Sequence, residues 1–477
     1  MQGNNFSPTV RKTAGSLLHN RILLLFLLCM VVYNVNLHPI PNYDTVTARV
    51  LPWSMLATGS LSLDAFVDSP AFKMQTAYVE PYGHYLTVAP ITLPVLITPL
   101  YVVPSVIIGI LGIPVSLADP RFVILSLAAE KVVASLLTSL SVVVLYLVLQ
   151  RFVTERYALW GALLYAFATS TWAISSQALW QHTMAELLLC CLLLLLLHTD
   201  ESGSPSGYAL LGISGALFFM NRQADAIFLL PVLYWVLRRK DLRMAGIFFA
   251  SFCLAATPFI LYNLVYFGSL FGGYRVNAAV LTVTPTIIPA FAAYLVSPNR
   301  GLFFFSPVIL FALPGIWLVW KNIPALNPSI RAVLLLFAAC VPVNILVYCS
   351  FPAWWGGESF GYRYLVDALP VLAVFLAFAL EYLWMHRSSF RPALKVVFIF
   401  LVAWSVLVQA CGAFYYYYDW DMKSSEHASV NDDPARVWDF SDLQIFYGVT
   451  MNPNPYGLLL DKFAAQRGAS FSVNTAS

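Results

Sequence analysis

The feature that most constrains this chain is the recurrence of uninterrupted apolar runs, beginning with "ILLLFLLCMVVY" near the N-terminus. In a bilayer each crossing segment must satisfy its own backbone polar groups, so only helices and closed barrels span it. Apolar runs of about 18–20 residues read as spanning helices. Such runs, some shorter, recur near 22–37, 122–149, 158–176, 183–198, 208–221, 226–237, 244–262, 301–320, 331–350, 369–386 and 394–414. Charged residues make up 10% of the chain and mean hydropathy is +0.75, whereas a soluble domain carries roughly 25% charge. The chain is therefore expected to be an all-α polytopic membrane protein. A net charge of +3 without a basic cluster gives no case for a nucleic-acid partner. The seven cysteines form neither a CxxC pair nor a disulfide framework.

Topology follows from charge. Arg11, Lys12 and Arg21 precede the first run, and no small-residue cleavage pattern follows it, so it is expected to stay as a span. The stretch 86–112 is apolar but carries Pro90, Pro94, Pro99 and Pro104, and interior prolines kink helices. With this stretch placed in the interface or re-entering on the outer side, Arg151, Arg156, Arg238, Arg239, Lys240, Arg243, Lys321, Arg387, Arg391 and Lys395 all fall inside, as the positive-inside rule asks. About eleven spans result, with twelve as the alternative. The expected layout is a cytoplasmic N-terminus over 1–21, a membrane domain over 22–414 with a long outer loop at 38–121, and an outer-face tail over 415–477. Long outer loops also fall at 263–300 and 351–368, so the outer face is the expected working face.

Several residues in these loops can carry chemistry. Asp44, just beyond the first span, is placed to act as a general base or metal ligand; alternatively it caps the helix of "TVTARVL". Asp64 and Asp68 read as solvated. Lys131, beside Glu130 inside a span, can meet a lipid phosphate or snorkel to the interface. His182 and Glu186 lie one turn apart on one face, able to orient a substrate hydroxyl, contact a metal or pair structurally. Arg222 interrupts two short apolar halves and suits an anionic headgroup, unless it pairs with Asp225. Arg300 and Arg363 each precede a span, as parts of an anion site or as interfacial anchors. In "WWGGESFGYRYLVDALP", Trp354 and Trp355 can face sugar or lipid, Glu358 joins them as a candidate contact, and Arg363 either faces phosphate or pairs with Asp367.

A short first span, an early outer aspartate and many spans with outer-face loops resemble the GT-C superfamily of integral-membrane glycosyltransferases. Within it, "SPNRGLFFFSPVILFALPG" and "WWGGESFGYRYLVDALP" are similar to stretches of protein O-mannosyltransferase-like and lipid A aminoarabinose transferase-like bacterial enzymes. The resemblance covers most of residues 20–415 in layout. It implies transfer of a sugar from a polyprenyl-phosphate carrier to a lipid, glycan or protein acceptor on the outer face of a bacterial inner membrane. The family's acidic residue, acting as base or metal contact, falls on Asp44. Its phosphate contacts fall on Lys131, Arg222, Arg300 and Arg363. Many members carry two adjacent acids where this chain has "YDT", which leaves a divalent metal open. Two other classes stay open: a transporter or flippase of a lipid-linked or anionic solute, and a non-enzymatic envelope scaffold.

Overall fold

Hydropathy sets the helices of this chain, and proline and charge set where they break and turn. The computed structural model describes residues 8–37, 39–67, 76–273, 286–323, 325–386, 391–422 and 427–451. Asp68, Arg387 and the chain beyond 451 lie outside the described residues, as do the side chains of Arg11, Lys12 and Arg391.

Every expected span is helical. Six are helical runs of spanning length: Pro120–Leu149, Gln181–Ser202, Leu242–Phe267, Pro328–Cys349, Arg363–Met385 and Pro392–Tyr415. Five are shorter or jointed. Asn20–Asn34 is the apolar part of helix Pro8–Asn34. Helix Glu155–Phe167 is followed by a π-helical turn, Thr171–Ser175. Pro205–Asn221 stands alone, and Gln223–Leu229 is a 3-10 piece that runs into Leu230–Arg238. The fifth is built from Leu302–Phe305, Pro307–Phe311 and Ala312–Trp320. Pro231 and Pro307 open their pieces, where the missing N–H would have no helical partner in any case.

Charge marks one end of the bundle. There Arg21 pairs with Glu155, Arg151 with Glu201 at 2.6 Å and Arg239 with Asp200, while the Thr154 N–H donates to Glu381 at 2.7 Å. Helix Pro120–Leu149 has its C-terminus at this basic end. Its length of about 45 Å, at about 1.5 Å per residue, puts Pro120 at the opposite end. Asn36 is at that opposite end too, donating to the Ala413 carbonyl near the close of the last pass.

The chain from 37 to 119 therefore leaves and re-enters the bundle at one end. Thr92–Ile110 has spanning length and hydropathy, but a lone crossing there would put Pro120 at the wrong end. Trp53 touches both Tyr101 in the middle of this run and Phe122 in the first turn of the next helix, with ring centroids 5.2 and 5.4 Å away. The run thus lies beside that end, and eleven passes remain among the described residues. Its prolines are absorbed by switching from α to 3-10 to α: Pro94, Pro99 and Pro104 each fall in the first three residues of Thr92–Ile97, Thr98–Tyr101 and Val102–Ile110.

At the same end a small hairpin pairs Thr76–Val79 with His84–Thr87 in antiparallel register, Thr76 opposite Thr87. Asp64 staples it, accepting from the Tyr85 N–H at 2.7 Å and meeting His84 Nδ1 at 2.6 Å. The described part of the tail, through helix Gln444–Met451, packs at this end as well.

Candidate active site

Four chain breaks at the non-basic end converge on one pocket. The first opens helix Tyr43–Thr58. Asn42 caps it, accepting from the Asp44 N–H, while Thr45 completes the capping box. Asp44 is therefore not the cap. Its carboxylate sits in the first turn, where the helix dipole favours negative charge, and meets Arg363 Nη1 at 2.6 Å. The Asp44 side chain keeps 40% exposure and that of Arg363 only 7%.

Arg363 follows a loop whose Gly356, Gly357 and Gly361 all have positive φ. At Gly361 a Cβ would also come within 2.6 Å of the Phe305 ring, so glycine is required there twice over. The loop delivers the Arg363 guanidinium over the rings of Trp180 and Tyr364, at 4.6 and 5.0 Å.

Arg222 forms the third break. Its extended backbone, φ −156 and ψ 94, stops helix Pro205–Asn221. Its Nε lies 2.8 Å from Asp225 and 3.1 Å from Asp367, and donates to the Tyr348 hydroxyl at 3.0 Å. That hydroxyl and Asn344 Nδ2 both donate to Asp225. The fourth break opens helix Gln181–Ser202, where His182 Nδ1 lies 2.7 Å from Asp367 Oδ2. Asp44, Ala89, Trp180, Gln181, His182, Arg222, Arg363 and Tyr364 line the resulting narrow pocket, whose free volume is about 20 Å³. Two guanidiniums, one partly exposed carboxylate and one imidazole thus share a small space. Such a site can hold an anion and exchange a proton beside it.

The other expected residues lie elsewhere. Lys131 is buried and donates to Gln177, a residue absent from the pocket wall. His182 and Glu186 share a helix face but not a bond: His182 turns to Asp367, while Glu186 accepts from Thr171 of the π-helical turn at 2.6 Å. Arg222 does pair with Asp225, and it lines the pocket as well. Arg363 pairs with Asp44 across the fold, and Asp367 goes to His182 and Arg222.

Arg300 does not join the other two arginines. Fully buried, it donates to the carbonyls of Asn299, Trp355 and Gly357 and to Gln444, and pairs with Asp421 at 2.7 Å. The reason is the tail, which supplies its carboxylate. Trp355 Nε1 donates to Asn431, and Asn431 Nδ2 donates to Glu358, so these two residues also engage the tail. The Trp354 carbonyl accepts from Tyr294. Burial raises the Glu358 carboxyl above its ordinary range.

The pocket residues that sequence reasoning missed are Ala89, Trp180, Gln181 and Tyr364. Three of them adjoin a residue that it found, in "LWQH" and "YRY", so position next to a break was the available signal. A divalent metal does not fit this arrangement. Asp44 is matched to the Arg363 guanidinium, which repels cations, and a second guanidinium, that of Arg222, lines the same pocket. Among the described residues no group of three acidic, His or Cys side chains is arranged to hold one.

No family model matches the chain, and no curated protein does. Among solved structures it is similar to the crystal structure of ArnT from Cupriavidus metallidurans bound to undecaprenyl phosphate. That similarity covers 83% of this chain and 71% of that one, at 13% identity and a TM-score of 0.47. It is also similar to the Archaeoglobus fulgidus oligosaccharyltransferase in complex with Zn and sulfate, over 81% of this chain and 54% of that one, at 15% identity and a TM-score of 0.49.

Proposed function

We propose that this chain is a GT-C-type glycosyltransferase moving a sugar from a polyprenyl-phosphate carrier to an acceptor on the outer face of the membrane. The observation that carries this reading is the convergence of two largely buried guanidiniums, Arg222 and Arg363, and a partly exposed Asp44 on one pocket at the end of a membrane bundle. A lipid phosphate arriving from the bilayer needs cations at that height, and the charge that grows on it as the sugar leaves needs the same cations. The phosphate competes with Asp44 for Arg363 and frees the Asp44 carboxylate toward the acceptor hydroxyl. The basic loops gather at the far end of the bundle, in keeping with a site that faces outward.

Titration of purified protein with a polyprenyl phosphate tests the reading. Binding should weaken at least about tenfold in Arg222→Ala and in Arg363→Ala, since each charge-assisted bond contributes roughly 1.5–3 kcal/mol. Parent-like affinity in both variants contradicts it.

A further inference from the structure

Glu130 and Lys131 are a charged pair that the transfer reading leaves unused. Both are buried, at 0% and 5% exposure, and they sit about 15 Å along helix Pro120–Leu149 from Pro120, at about 1.5 Å per residue. Ionisable side chains at such depth are costly to keep, and neither lines the pocket. Adjacent residues on a helix do not face each other, yet these two serve the same pair of neighbours. One is the stretch from Asn36 through Asp44 to Arg49. The other is the stretch 177–182, which brings Trp180, Gln181 and His182 to the pocket wall.

Glu130 Oε1 accepts from the Leu179 N–H at 3.2 Å, directly before Trp180. Its Oε2 lies 3.5 Å from Arg49 Nη1, on the helix whose first turn holds Asp44. Lys131 donates to Gln177 Oε1. The same oxygen accepts from Asn36 Nδ2 at 2.7 Å, and the Gln177 carbonyl accepts from the Ile40 N–H at 3.2 Å. The two stretches are thereby tied to each other and to one helix. Arg363 sits between the same two stretches. It meets Asp44 Oδ2 at 2.6 Å on one side and lies over the Trp180 ring at 4.6 Å on the other.

We infer that Glu130 and Lys131 are positioning residues for Arg363: they set the slot between Asp44 and Trp180 that holds its guanidinium, and they act on the donor phosphate only through it. The inference rests on the phosphate role proposed for Arg363 above. Neither residue touches the phosphate. The Lys131 ammonium contributes by holding Gln177, and the Glu130 carboxyl by holding Leu179 and Arg49.

The test combines donor binding with a spectroscopic measurement. Glu130→Ala alone would leave Arg49 buried without its partner and endanger the fold. The pair is therefore removed whole, Arg49→Leu together with Glu130→Leu, an exchange that buried ion pairs often tolerate. Lys131→Met, the second variant, removes a buried ammonium at similar length. Protein labelled with fluorotryptophan gives a ¹⁹F signal for Trp180, assigned by its loss in Trp180→Phe, and Arg363→Ala shows that signal without the guanidinium. In both variants the Trp180 signal should move toward its Arg363→Ala position. Polyprenyl phosphate should bind about tenfold more weakly, as expected when Arg363 is misplaced. In the Arg363→Ala background neither change should weaken binding further, because a residue acting through Arg363 does not add to its loss. A parent-like Trp180 signal in either variant overturns the inference, since a residue that merely fills the core leaves that ring alone. Losses that add to that of Arg363→Ala overturn it too, and make the substituted residue a phosphate contact in its own right. A parent that binds no polyprenyl phosphate overturns the transfer reading instead, while the Trp180 signal still decides whether the pair sets the slot.

Discussion

Arg363 decides how the pocket behaves because a carboxylate already occupies it. Asp44→Asn removes that competitor, so polyprenyl phosphate should bind about tenfold tighter, the worth of one charge-assisted bond of roughly 1.5 kcal/mol. Transfer should still fall, because the acceptor loses its carboxylate partner. Unchanged affinity and unchanged turnover in this variant would remove Asp44 from the site. Arg363→Lys should recover only part of the affinity lost in Arg363→Ala, since an ammonium cannot form the bidentate pair. Part of this was legible in the sequence: Asp44, His182, Arg222 and Arg363 stand out because ionisable residues are costly near a span. Their partners were not. Asp44 and Arg363 are 319 residues apart, and local spacing suggested His182 with Glu186 and Arg363 with Asp367, where packing chose otherwise.

At the scale of elements, hydropathy made the helices readable and tail packing stayed hidden. Nothing near Arg300 in the sequence announces that Asp421 and Gln444 will enclose its guanidinium. Arg300→Ala leaves the Asp421 carboxylate buried without its cation, a loss of about 3–5 kcal/mol. The variant should show a lower thermal midpoint and protease cleavage within 427–451, at unchanged affinity for polyprenyl phosphate. Weakened donor binding with intact thermal stability would instead return Arg300 to the phosphate site. Burial pushes Asp421 up from 3.8 to about 6, against the downward pull of Arg300. The folded protein therefore binds this proton more tightly than the unfolded chain does. Stability should fall as pH rises from about 4 to about 6 and then level off. Asp421→Asn should lack that component of the thermal-midpoint profile, and an identical slope in parent and variant would contradict the assignment.

For the whole molecule, counting basic loops favoured eleven passes and left twelve as the alternative, because parity links the proline-rich 86–112 stretch to the side on which every later loop falls. The fold carries the same parity physically, with the chain leaving and re-entering the bundle at one end between 37 and 119. A periplasmic reporter fused after Tyr418 should be active and one fused in the 238–243 loop inactive; the reverse pattern would place the pocket inside. The most direct test of the central claim is donor consumption by the purified protein, supplied with a panel of polyprenyl-phosphate sugars and candidate acceptors. The account predicts release of free polyprenyl phosphate with one of them, lost in Arg363→Ala. Failure to consume any donor, together with parent-like polyprenyl-phosphate binding in Arg222→Ala and Arg363→Ala, would contradict it.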